Sequence, residues 1–135
     1  MLVFEAPIDL LSFIELFPKN WQQHNYLSLG GVSGKALQQF LSERPDVERV
    51  FLCLDADKAG EDACKRLAAL LPDTVSVTRI QPCMKDWNDV LVHRAEIPNR
   101  NYFKSIVLKE PSKPETVKII RMSDVELTPV EWLWK

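Results

Sequence analysis

The chain has 135 residues, is 46% hydrophobic, and carries 17 Lys and Arg against 19 Asp and Glu, for a net charge of -2. That length and apolar content predict one domain with a real core, and the charge excludes polyanion binding through bulk basicity. No apolar run is long enough to span a bilayer, and three cysteines without a C-x-x-C pair do not make a disulfide framework. The expectation is a soluble, cytoplasmic chain with no membrane partner.

Leu2-Val3-Phe4 is apolar and ends in Glu5, so a short strand opens the chain. Pro7 suits the first position of a helix predicted over residues 8–17, because its missing N–H would be unpaired there anyway. A strand beginning almost at residue 1 suggests a piece of something longer. Residues 26–29 form a second strand, followed by Gly30-Gly31-Val32-Ser33-Gly34-Lys35 and a helix over 35–43 that stops before Pro45. This glycine turn is one residue short of a phosphate loop, and Ala36 stands where a magnesium-binding hydroxyl is required.

Val50 to Asp55 reads as a strand buried on both faces, and it runs out into Asp55-Ala56-Asp57-Lys58-Ala59-Gly60 before a third helix. Residues 75–80, rich in β-branched side chains, are a fourth strand. Lys85-Asp86-Trp87-Asn88-Asp89 opens a last short helix, with Asp86 as its cap. Strands alternating with helices predict an α/β, three-layer, mainly parallel sheet of about four strands with helices on both faces. For Glu5 to meet Asp55 and Asp57, strands one and three must be neighbours, which gives the order 2-1-3-4. From about Glu96 prolines punctuate polar stretches around an amphipathic piece at 102–107 and a candidate strand at 117–120. The division expected is therefore a domain over 1–95 and an extension over 96–135.

Phe4-Glu5-Ala6-Pro7-Ile8-Asp9 resembles the glutamate motif of the Toprim family, and Asp55-Ala56-Asp57-Lys58-Ala59-Gly60 resembles its D-x-D-x-x-G motif. Ser28-Leu29-Gly30-Gly31 is similar to the small-residue turn after strand two, and Lys85 to Asp89 to the element after strand four of primase-type members. Ala6 departs from the family's usual glycine. The resemblance spans about residues 2–93 and implies a Rossmann-like fold in which Mg²⁺ or Mn²⁺ serves phosphoryl transfer on nucleic acid. It implies a primase-like domain of a mobile element or phage, with DNA, RNA and nucleotides as ligands. Residues 123–135 are similar to segments leading into RecA-like ATPase domains, which implies a helicase partner.

On the family pattern Glu5, Asp55 and Asp57 are the catalytic and metal-binding carboxylates, with Asp9 a further metal carboxylate. Lys35, Lys58 and Lys85 are candidates for phosphate oxygens. Magnesium takes hard oxygen ligands and is commonly held by one or two carboxylates plus substrate phosphates. Asp57 has the alternative of capping the third helix, and Asp9 that of a solvated helix-face acid. Two other functions stay open: a Toprim nuclease, and a non-catalytic Toprim module for binding or assembly. With no extended basic surface, the piece is expected to be weak or inactive alone.

Overall fold

The computed structural model describes residues 1–111; the candidate strand at 117–120 and the ATPase-like tail lie outside the described residues. Five strands, β1 (Leu2–Phe4), β2 (Tyr26–Ser28), β3 (Arg49–Leu52), β4 (Ser76–Pro82) and β5 (Phe103–Lys109), form one sheet in the order β2-β1-β3-β4-β5. The first four run parallel, as β1 pairs with both β2 and β3, and β3 with β4. The order expected of them is the order found. Four helices connect them: α1 (Pro7–Leu16), α2 (Lys35–Glu43), α3 (Lys58–Leu70) and α4 (Trp87–Val92).

The sheet gains a fifth strand, antiparallel to β4, from the amphipathic piece near residue 102. Its signal is weak in sequence because an edge strand is half solvated. Ile106 and Val107 are exposed on β5, while Lys104 and Lys109 bring charge to the edge. Lys109 turns inward at its end. Its Nζ donates to the carbonyls of Leu71 at 2.6 Å and Ala68 at 3.2 Å, closing the C-terminus of α3 with a cation where the helix dipole favours one.

Successive residues of a strand point to opposite faces, and here both faces are buried. Val3, Val50, Leu52 and Leu54 meet Leu37 of α2 and Ala63, Cys64 and Leu67 of α3. Leu2, Phe4, Phe51, Cys53 and Ile80 meet Phe13 of α1 and Trp87 and Val90 of α4. Trp87 joins this second layer to the central strand. Its ring stands edge-on to Phe13 at 4.9 Å, and its Nε1–H donates to the Cys53 carbonyl at 3.0 Å. Among the described residues, no helix is long and apolar enough to cross a membrane.

Because Trp87 fills the gap under α4 and satisfies a buried carbonyl, Trp87→Ala is expected to cost about 3–5 kcal/mol in urea unfolding. Trp87→Phe keeps most of the packing but orphans the Cys53 carbonyl, and is expected to cost about 1–3 kcal/mol. A Trp87→Ala cost below about 1 kcal/mol, the level of an ordinary surface change, would contradict this role.

Candidate metal and phosphate site

The parallel register of β1 and β3 places Val3 beside Leu52, so the two strands deliver Glu5 and Asp55 to the same carboxyl edge of the sheet. The Asp55 N–H donates to Glu5 Oε1 at 3.3 Å. On the other side of Glu5, its carbonyl accepts from the Gly31 N–H at 2.9 Å. That contact needs the turn after β2 to pass through Gly30 at φ 62° and Gly31 at φ 141°, a path side chains rarely follow. The small-residue turn is thereby a clasp on Glu5, not a phosphate loop.

The bend at 55–57 is held at every peptide. The Asp55 carbonyl accepts from the Arg79 guanidinium at 3.0 Å, and the Ala56 N–H donates to the Lys85 carbonyl at 2.7 Å. Asp57 caps α3, its Oδ1 accepting from the Gly60 N–H at 2.7 Å. Gly60 explains the last letter of the motif. A Cβ there would lie 2.0 Å from the Asp55 carbonyl oxygen and 3.2 Å from Asp57 Oδ1, and backbone oxygen cannot give way. Asp57 therefore does cap, as the alternative had it, with one of its two carboxylate oxygens.

Asp9 is 5% exposed and faces α4, where its Oδ1 accepts from the Asn88 N–H at 3.3 Å. Asp86 caps α4, as expected, by accepting from the Asp89 N–H. Glu5, Asp9, Asp57 and Asp86 thus all lie close enough to Asp55 to act on its charge. Burial pushes the Asp55 carboxyl up to about 7, and the negative charges of Glu5, Asp9, Asp86 and Asp57 push in the same direction. Its Oδ1 is buried and, among the described residues, has no hydrogen-bond partner. Burial raises Glu5 as well, against the pull of the Asp55 N–H, with Asp57 and Asp9 adding to the rise. Burial likewise raises Asp9, opposed by the Asn88 N–H.

Glu5 and Asp55 are therefore a hydrogen-bonded pair, with Asp57 and Asp9 contributing to the field around them. Among the described residues, no three His, Cys, Asp or Glu side chains are grouped closely enough to hold a metal ion together. Of the expected cations, Lys58 is exposed and paired with Asp62 at 2.9 Å, and Lys35 is exposed at the first position of α2. Lys85 is exposed on the loop that its own carbonyl ties to Ala56. Arg79 was not among the expected site residues, yet it is 4% exposed in the middle of β4 and its guanidinium supports Asp55 from below. A lone charge inside a β-branched run was its signal.

A family model described as Toprim-like matches residues 2–91. An uncharacterized protein of Mycoplasma pneumoniae, described as an MG010 homolog, is 34% identical over 71 residues, which is 50% of this chain and 34% of that protein. The crystal structure of the primase fragment of the bacteriophage T7 primase-helicase protein matches with a TM-score of 0.58 at 24% identity, over 74% of this chain and 41% of that one. At that identity the second likeness is one of fold. The chain spans 34% of the length of the curated relative and 41% of the T7 fragment.

The Asp55 environment predicts a definite pH dependence. Between its ordinary 3.8 and about 7, the folded chain holds a proton that the unfolded chain has released. Stability from this group therefore falls as pH rises through that window, and the loss is complete above it. In EDTA, Asp55→Asn is expected to melt higher than wild type at about pH 8 and to match it near pH 4. Parallel melting curves for the two proteins across that range would refute the assignment.

Proposed function

Since the chain belongs to the Toprim-like family, whose model covers residues 2–91, we propose that it is the metal-dependent phosphoryl-transfer domain of a primase-like replication protein. The observation that carries this reading is the buried, unpartnered Asp55 Oδ1 beside Glu5 at the carboxyl edge of the sheet. Ligands of open α/β sheets sit at that edge, beyond the strand ends. The residues fit a hard divalent cation. They are carboxylates, they repel one another, and one buried oxygen lacks a donor.

One or two of the carboxylates of Glu5, Asp55 and Asp57 would hold Mg²⁺ or Mn²⁺ at a time, with substrate phosphates and water completing its shell and Asp9 adding charge from the α4 side. Such an ion, when bound, neutralises charge on a transferring phosphoryl group. Asp57 has one oxygen engaged by Gly60 and one to offer. Glu5 has Oε1 fixed by the Asp55 N–H, leaving Oε2 to take a proton from a nucleophilic hydroxyl. Lys85, whose carbonyl ties its loop to Ala56 at the bend, would meet phosphate oxygens. Lys35 stands ready for an anion at the start of α2, and Lys58 must first leave Asp62, an exposed pair worth about 0–1 kcal/mol.

The T7 protein is a primase-helicase, which supports DNA, RNA and nucleotides as ligands and a RecA-like ATPase domain as a partner. On this reading residues 1–95 are the catalytic unit, residues 96–135 lead toward that partner, and a mobile element is the source. Three free cysteines support a reducing, cytoplasmic compartment. A non-catalytic Toprim assembly module is the second reading, favoured by the capping bond that occupies Asp57. A Toprim nuclease would use the same carboxylates.

Calorimetric titration with Mn²⁺ tests the metal assignment. Wild type is expected to bind weakly, because substrate phosphates would complete the coordination, and Asp55→Asn with Asp57→Asn to weaken it by at least about tenfold, the loss of a charge-assisted contact. Equal affinity in the double variant would remove the assignment. Residues 1–135 alone are expected to show little primer synthesis or cleavage, since template grip scales with the phosphates neutralised. Vigorous Mg²⁺-dependent turnover that Glu5→Gln leaves intact would count against both the site and the need for neighbours.

A further inference from the structure

The carboxylate edge continues sideways into an open groove whose far wall lies beyond the family match. The groove encloses about 610 Å³, and its lining includes Ala56, Pro82, Met84, Lys85, Phe103 and Lys104. That volume is in the range of small-ligand sites, roughly 300–1,000 Å³. Ala56 is the residue between the two motif aspartates, so the groove reaches the bend that carries them. Its walls are tied together: the Ala56 N–H bonds the Lys85 carbonyl, and the Cys83 N–H bonds the Tyr102 carbonyl at 2.8 Å. Phe103 and Lys104 are carried by β5, which pairs Pro82 with Phe103 and Gln81 with Lys104. The Phe103 ring is braced by Phe17 at 5.8 Å and Trp87 at 6.3 Å.

The charge of this groove is opposite to that of its surroundings. In a chain of net charge -2, its only charged lining side chains among the described residues are Lys85 and Lys104. Neither is in an ion pair among the described residues. Between them lie Met84, Pro82 and Phe103, an apolar floor. Cations that track a backbone, combined with an aromatic and apolar surface for bases, are the chemistry of single-stranded nucleic-acid binding. A duplex hides the base faces that such a floor would meet. The two cations also stand on different walls, one on the loop after β4 and one on β5, which suits phosphates spaced along a strand better than the contiguous phosphates of a free nucleotide.

We propose that the groove between the β4–α4 loop and β5 binds a single strand of nucleic acid, with phosphates at Lys85 and Lys104 and a base against Met84 and Phe103, and leads it to the Asp55–Asp57 bend. The choice of ligand rests on the phosphoryl-transfer function proposed above. The new element is β5, which supplies Lys104 and Phe103 from outside residues 2–91.

Fluorescence anisotropy of the intact 135-residue chain with a labelled oligothymidylate of about ten nucleotides, a length within known single-strand site sizes, tests this across a salt series. Each phosphate contact adds about 0.7 to the slope of log affinity against log salt for single strands. Lys104→Gln is expected to lower the slope by about 0.7, and Lys104→Gln with Lys85→Gln by about 1.4. The thiol of Cys83 lines the groove and is exposed, whereas Cys53 and Cys64 are buried, so one thiol reports occupancy. The oligonucleotide is expected to slow maleimide alkylation of Cys83. An unchanged slope in Lys104→Gln would overturn the proposal, as would protection of Cys83 by a nucleoside triphosphate and not by the oligonucleotide. The slopes are measured in EDTA as well as in Mg²⁺. A slope lowered by Lys104→Gln in EDTA, together with a wild type that binds no Mn²⁺, would refute the metal assignment and uphold the groove.

Discussion

Everything at the candidate site depends on one backbone carbonyl, that of Asp55. The strand must stop there and bend, because two aspartates at spacing two would otherwise point to opposite faces of the sheet. The Arg79 guanidinium grips this carbonyl from β4, while α3 begins so close above it that only glycine fits at residue 60. The same bend frees the Asp55 N–H for Glu5 and the Ala56 N–H for the Lys85 carbonyl. Four separate stretches of chain are fixed by three consecutive residues.

That arrangement is costly in charge, and the cost points to its use. Burying Asp55 among Glu5, Asp9, Asp86 and Asp57 raises its carboxyl to about 7, far from where an isolated aspartate titrates. Carboxylates gathered at the carboxyl edge of a parallel sheet, with perturbed protonation, make a candidate functional site. Arg79 offsets part of the negative field from beneath, but its Nε has no partner among the described residues. A hydrophobic residue at that place in β4 would suit the core better.

The fold serves the site through its two packed layers. Trp87 binds α4 to the central strand through the Cys53 carbonyl, two residues before Asp55. Asp9 does the same between α1 and α4 through the Asn88 N–H. The helices that cover one face of the sheet are therefore locked to the strand ends that carry the acids. On the far side, Lys109 pins β5 to the end of α3, so the groove wall is anchored at both its ends.

Sequence alone determined the strand order of β1 to β4, since Glu5 and the Asp55–Asp57 pair make sense only if strands one and three adjoin. It also determined both helix caps at Asp57 and Asp86 as local options, because capping is decided within a single turn. The fifth strand was hidden, for an edge strand shows neither full burial nor clean alternation. Only tertiary structure decided that Asp9 faces α4, that Gly30 and Gly31 clasp Glu5, and that Gly60 is required by the Asp55 carbonyl. It alone placed Arg79 beneath the site and brought Lys104 to the groove that Lys85 also lines. Apart from the Gly60 contact, those facts depend on distances between residues far apart in the chain, which packing sets and local propensity does not record.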